Sequence, residues 1–277
     1  MAAQRAARKQ VARPVVVDES IDKADYNIWH HKPNRRKAEP KRAATHRCHP
    51  ARDSGRTRGS DSGASFRCID FARGICAAGY SCNYLHRVPT AQDEARAATD
   101  LSVDTFGRGK VTEARDNRLG AGSFERDCRT LYVNYSGAIS HMQTGLQAKQ
   151  LLEPEFAEWG PLERTHIVHD KRLAFVTYTQ RSSAEFAKEA MAQQRVPGGD
   201  MEGFLDVRWA NEDPNPRAQA RVKRAHADAY SQAVARSVDE LPEAAKRARL
   251  MDLHIQASTR ARGHCASAPY YPDTSAQ

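Results

Sequence analysis

Four residues of this chain have the type and spacing to hold a metal ion. Cys68, Cys76, Cys82 and His86 read Cys-x7-Cys-x5-Cys-x3-His. Zn²⁺ takes four tetrahedral sulfur and nitrogen ligands, and three thiolates with one imidazole complete that shell without leaving a position for water. A closed shell is structural. It folds a short loop that has too few apolar residues to fold by itself, and metal binding and folding then become one event worth roughly 10–16 kcal/mol. Gly74 and Gly79 each fall shortly before a ligand, where a tight wrap of chain calls for a positive φ.

A second set of residues has the chemistry to stack on bases. Leu131-Tyr132-Val133-Asn134-Tyr135 reads as a strand, and Lys171-Arg172-Leu173-Ala174-Phe175-Val176-Thr177-Tyr178 reads as another. The later run fits the RNP1 pattern of an RNA recognition motif (RRM) at most positions, and the earlier run fits its partner, RNP2. Side chains alternate across a strand. Ala174, Val176 and Tyr178 therefore go to the core, while Leu173, Phe175 and Thr177 go to the open face. Tyr132 and Phe175 become two platforms, each worth roughly 1–3 kcal/mol per stacked base. Leu173 stands where the pattern usually has a third aromatic. Lys171 and Arg172 begin the strand within reach of phosphate, and Arg208 is a candidate phosphate contact on the last strand.

Elements must place these residues, and the reading is an α+β fold: a small zinc-stabilised module followed by a βαββαβ ferredoxin-like RRM. Residues 1–25 read as a flexible basic arm and 26–88 as the module that ends in the zinc finger, 68–86. Residues 89–127 form a connector with a short helix near 91–98 and hydrophobic anchors at Phe106 and Phe124. The RRM spans 128–212, with strands at 129–134, 162–168, 171–179 and 204–210 and helices at 146–158 and 182–193. Pro154 should kink the first helix or shift its end. Ala184, Phe186, Ala187, Ala190 and Met191 give the second helix an apolar core stripe. Residues 213–277 read as a partly helical or disordered tail, with helical candidates at 218–229 and 243–253.

Charge is uneven along the chain. Residues 1–67 hold 16 Lys or Arg against 7 Asp or Glu, whereas residues 68–277 hold 27 of each. All of the formal excess of +9 thus precedes the finger. Such a segment binds a polyanion by counterion release. The cluster Lys32-Pro33-Asn34-Arg35-Arg36-Lys37 with Lys41-Arg42 suits nuclear import, ranked above a mitochondrial presequence in the acid-free start of the chain. No run approaches the roughly 18 apolar residues of a membrane span. Cys48, Cys128 and Cys265 show no pairing pattern, so a reducing compartment is the simpler reading. Cys48-His49 is read as packing or RNA contact, not as a further metal pair.

An ordered set of motifs carries a specific resemblance. Tyr26-Asn27-Ile28-Trp29, Asp53-Ser54-Gly55, Phe71-Ala72-Arg73-Gly74-x-Cys76, Cys82-x-Tyr84-Leu85-His86-Arg87-x-Pro89, Phe106-Gly107-Arg108, Gly122-Ser123-Phe124, Arg129-Thr130-Leu131-Tyr132-Val133 and Trp209-Ala210-Asn211-Glu212-Asp213-Pro214-Asn215-Pro216 together resemble the spliceosomal Cwc-two family. These are pre-mRNA-splicing factors associated with the NineTeen complex. The resemblance covers residues 25–216. It implies a basic Torus module wrapped around the finger, joined by a connector to the RRM, and one RNA-binding surface across all three. It implies contact with U6 small nuclear RNA and with the intron near the 5′ splice site, in the nucleus, among NineTeen-complex proteins. The contacts it implies are Arg47, Arg52, Arg56 and Arg58 of the basic loop, Phe71 and Tyr84 of the finger, Phe106 and Arg108 of the connector, and Tyr132 and Phe175. Leu173, Pro154 and the Gly/Ser-rich stretch from Thr57 to Ser65 depart from the family pattern.

Two other classes stay open on the residues alone. One is a cytoplasmic regulator of mRNA stability or translation, which usually carries tandem three-Cys-one-His fingers where this chain has one. The other is a protein-interaction adaptor, whose RRM-like sheet usually lacks the face aromatics kept here. The sequence holds no nucleophile–base pairing, no open metal position and no Lys-Ser/Thr phosphate cradle, so the reading is a scaffold and not an enzyme, with no small-molecule substrate.

Overall fold

Strand alternation and short capped turns account for most of the architecture. The computed structural model describes residues 5–15, 26–27, 32–33, 42–97, 100–111, 118–123, 128–139 and 144–211, with scattered positions from 216 to 231. The chain divides into two units, Met1–Asn211 and Glu212–Gln277. In the second unit every described position between 216 and 231 is helical, where the first tail helix was expected. The 243–253 candidate, the Phe124 anchor, Cys265 and most of the 32–42 basic cluster lie outside the described residues.

The first module is built from short pieces. Tyr26–Asn27 (β1) and Lys32–Pro33 (β2) pair antiparallel. Pro50–Asp53 (α1) starts on a proline, whose fixed φ suits the first helical turn. Arg58–Asp61 (α2) lies within the Gly/Ser-rich departure and is ordered by a capping box between Thr57 and Ser60. Ile69–Ala72 (α3) follows the first ligand, and the Cys68 sulfur accepts the Phe71 N–H at 3.3 Å. Gly74 and Gly79 have φ of +79° and +56°, and a Cβ on Gly74 would sit 2.5 Å from the Arg47 backbone.

The described part of the N-terminal arm is not free. Ala6 bridges to Arg56, the Ala7 N–H donates to the Arg56 carbonyl at 2.9 Å and the Arg56 N–H donates to the Arg5 carbonyl at 2.7 Å. Gln10 ties it down further, accepting from the Cys76 N–H at 3.0 Å and donating to the Phe71 carbonyl and Asp53. The expectation of a flexible arm is therefore corrected for residues 5–10. A Gln side chain can close two backbone groups at once, and a charge count does not register that.

The RRM elements fall within one or two residues of their expected bounds. They are Thr130–Asn134 (β3), Gly145–Ala157 (α5), Leu162–Val168 (β4), Leu173–Tyr178 (β5), Arg181–Met191 (α6) and Asp206–Trp209 (β6). The sheet is antiparallel in the order β4-β5-β3-β6. Leu131, Val133, Ala174, Val176 and Tyr178 are buried under α5 and α6, against Leu152, Phe156, Trp159 and Phe186. α5 runs through Pro154 to Ala157, so its end is not shifted. β5 begins at Leu173, two residues later than expected, because His169–Lys171 form a 3-10 turn and Arg172 takes a left-handed φ of +52°.

α6 is buried along its whole length, polar residues included. The short connector helix Ala91–Ala97 (α4) supplies one reason. Glu94 on it accepts the N–H groups of Arg181 and Ser182 at 3.1 and 2.8 Å, capping a helix whose own N-cap, Gln180, makes no side-chain capping bond to the backbone.

Candidate metal centre and nucleic-acid interface

Cys68, Cys76, Cys82 and His86 are brought together as the spacing predicts. Their donor atoms all lie within 4.8 Å of one another and all four residues are buried. Both ring nitrogens of His86 lack a hydrogen-bond partner although the residue is 1% exposed. A buried imidazole left unpaired on both sides is costly unless a ligand takes it up. Three sulfurs and that imidazole fit a closed tetrahedral metal shell. Phe71 stacks on the face of the imidazole, its ring 4.7 Å from the His86 ring and 15° from parallel. Cys48 stays outside the cluster, is fully buried and free, and has its thiol pushed far up by burial and by Asp53. It packs; it is not a ligand.

The sheet presents Tyr132 and Phe175 as expected. They are cross-strand partners, half-buried on the open face, with rings 5.9 Å apart at 73°. Two neighbours were not anticipated. Arg118 of the connector, at a φ of +58°, lays its guanidinium 4.3 Å from the Tyr132 ring centre. Its placement is fixed by the backbone, since its carbonyl accepts the Trp209 N–H at 3.0 Å and the Gly120 carbonyl accepts the Trp209 indole N–H at 3.1 Å. His166 on β4 is the register partner of Phe175, and its ring lies 6.4 Å away at 25°. The alternation of β4 would have placed His166 on the open face. Nothing local marks Arg118, whose partner is distant in sequence.

The other predicted contacts sort by exposure. Tyr84 is 49% exposed, and Tyr80, not singled out from sequence, is 44% exposed. Arg52, Arg56 and Arg58 are on the surface, the first two paired with Asp53 and Asp61 at 2.9 and 2.6 Å. Lys171 is exposed and Arg172 half-buried at the β4–β5 turn. Arg208 is tied to Asp206 at 2.6 Å on its own strand.

Four expected contacts are turned inward, and the docking of the two modules is the reason. Phe71 is fully buried and its ring lies 6.2 Å from that of Phe186 on α6. Phe106 is buried and stacks on Phe186 at 5.8 Å. Arg47 bridges to Glu155 and Glu158 at 2.6 and 3.1 Å. Arg108 pairs with Asp104 and Glu189 at 2.7 and 2.9 Å. Burial works against the Arg108 charge, but Glu189 and Asp104 more than offset it and raise its pKa above the usual guanidinium value. Arg73 adds a further bond to Glu189 at 2.8 Å, and Lys110 pairs with Glu185.

The chain is similar to known proteins over most of its length. Residues 2–108 match the Torus domain and residues 147–201 match the RNA recognition motif. The second match begins inside α5, and the structure supplies the strands on either side. A pre-mRNA-splicing factor cwc2 from Emericella nidulans is 43% identical over 238 residues, covering 81% of this chain and 54% of that protein. Cwf2 of Schizosaccharomyces pombe, also a pre-mRNA-splicing factor, is 40% identical over 203 residues, 72% of this chain and 49% of its own. A cwc2 splicing factor of Dictyostelium discoideum is 40% identical over 218 residues, 78% of this chain and 39% of its own. The chain thus spans about half the length of the curated relatives it matches.

Proposed function

Since this chain belongs to the Cwc2 family of pre-mRNA-splicing factors, we propose that it is an RNA-binding scaffold of the active spliceosome, working in the nucleus and not as a catalyst. One structural Zn²⁺ is held by Cys68, Cys76, Cys82 and His86, and it supplies folding energy and nothing else. The RNA surface comprises the open sheet face and the exposed finger and loop residues Tyr84, Arg52, Arg56 and Arg58. U6 small nuclear RNA and the intron near the 5′ splice site are its targets, and NineTeen-complex proteins are its neighbours.

The observation that carries this reading is that a closed Cys3His cluster and an RRM sheet with aromatic rings on its open face stand in one compact unit. A shell with four protein donors leaves no position for a reacting water. What remains is binding. A scaffold can stabilise one RNA fold only by its differential affinity for that fold.

Ultraviolet crosslinking in cells, followed by sequencing of attached RNA, tests the proposal. Enrichment of U6 and of intron 5′ ends is expected. Enrichment of mature message ends, with small nuclear RNA at background, would overturn it in favour of an mRNA regulator.

A further inference from the structure

The open face of the sheet is divided in its chemistry. On the β3–β6 half, Tyr132 has one ring face covered by the Arg118 guanidinium at 4.3 Å, and its register partner Arg208 is neutralised by Asp206. At the start of β6 lies a groove of about 620 Å³ whose lining includes Asp200, Glu202, Asp206 and Arg208. With Asp206 matched by Arg208, the lining still carries more carboxylates than cations, which disfavours a phosphate chain. The Tyr132 and Phe175 rings also meet edge to face, so they give no continuous floor for successive bases.

The β5–β4 half has the opposite character. Phe175 and His166 are cross-strand partners with ring centres 6.4 Å apart and planes 25° from parallel, and His166 is exposed. The register places Arg164, His166 and Val168 on the same face as Thr177, Phe175 and Leu173. Arg164 is exposed and, among the described residues, neither it nor His166 makes an ion pair or a side-chain hydrogen bond. Lys171 and Arg172 stand at the turn that closes this hairpin, with the exposed Asp170 between them and β4. Two near-parallel rings edged by cations offer a single-stranded RNA both stacking partners and phosphate contacts.

We infer that single-stranded RNA stacks on Phe175 and His166, over the β4 edge of the sheet, and that Arg118 keeps Tyr132 out of that contact. His166 replaces the missing aromatic at Leu173 as the second platform. The inference rests on the reading of the sheet as an RNA-binding face.

Fluorescence anisotropy with short labelled oligouridine and oligoadenosine, using the full chain loaded with zinc, tests it. Thermal melts establish that each variant is folded. His166→Ala and Phe175→Ala should each weaken binding roughly 5- to 100-fold, the cost of one lost base stack. Tyr132→Ala should change it less than about threefold, well under the cost of a stack. In an Arg118→Ala background, where the ring is uncovered, Tyr132→Ala should become costly, and that non-additivity is the signature of the mask. If Tyr132→Ala costs as much as Phe175→Ala while His166→Ala is silent, the placement is wrong but the sheet still binds RNA. If Phe175→Ala is silent as well, both the placement and the RNA-binding role of the sheet fall.

Discussion

Phe71 and Tyr84 lie beside the same Cys3His cluster and read alike as finger aromatics, yet one is fully buried and the other 49% exposed. Their substitutions should therefore separate. Phe71→Ala removes a ring wedged between His86 and Phe186 and should cost about 3–5 kcal/mol of stability, as buried aromatic truncations do. Tyr84→Ala should leave the urea midpoint nearly unchanged and weaken RNA affinity. Urea denaturation and anisotropy on both variants check this, and a stable Phe71→Ala protein with impaired RNA binding would contradict it. The ligand set, and Tyr132 and Phe175 on the open face, were legible because spacing and strand period depend on neighbours in sequence. Phe71, Phe106, Arg47 and Arg108 were misplaced because their exposure depends on a partner about 80 residues or more away. A motif cannot say whether another module will cover it. His166 was the nearest miss, since the alternation of its strand already put it on the open face.

Helix α6 shows the same limit for an element. Its apolar stripe was readable at helical spacing, but its polar face reads as a solvated face and is buried all the same. Glu185 and Glu189 on that face gather Lys110, Arg73 and Arg108 from the finger and the connector. Burial alone would push the Glu189 carboxyl up, but Lys188, Arg108 and Arg73 hold it well below the usual carboxylate range. Asp93 behaves likewise, with burial opposed by Arg87, Thr90 and Arg67. A carboxylate with a depressed folded pKa contributes stability that is present above its unfolded value and lost as pH falls toward the folded one. Glu185 has the opposite sign, since burial raises it despite Lys110, so it offsets part of this effect. The urea midpoint should accordingly fall as pH drops below about 4.3, the ordinary glutamate value. Glu189→Gln should be destabilised at neutral pH by about 3–5 kcal/mol, because it leaves buried cations uncompensated, and should flatten that acid dependence. A variant with an unchanged pH slope would show that this carboxylate is not what links stability to acid.

Over the first unit as a whole, the Cys3His cluster and the RRM share a core, and their stabilities should not be separable. Arm residues 5–15, the finger, the connector and the sheet domain fall within Met1–Asn211. The contacts run in both directions: Phe71 lies against Phe186, Arg47 binds Glu155 and Glu158, Glu94 caps α6 and Gly120 accepts from Trp209. Two modules joined only by a linker would melt in two steps, and the finger alone would respond to metal removal. With a structural Zn²⁺ at Cys68–His86, as proposed above, the loop around it could not hold Phe71 and Arg73 against α6 once its thiolates were released, because metal binding and loop folding would be one event. The helix then loses packing and charge compensation together. Chelation of the zinc-loaded full chain should therefore lower the melting temperature of the sheet signal in far-ultraviolet circular dichroism, along with the finger. For a unit of this size each kcal/mol lost shifts the midpoint by about 2–4 °C, so a loss of several kcal/mol moves it by on the order of 10 °C. Cys76→Ser should reproduce the shift without chelator. A sheet transition that stays in place while the finger unfolds would mean that the contacts to α6 hold the modules together without supporting either one.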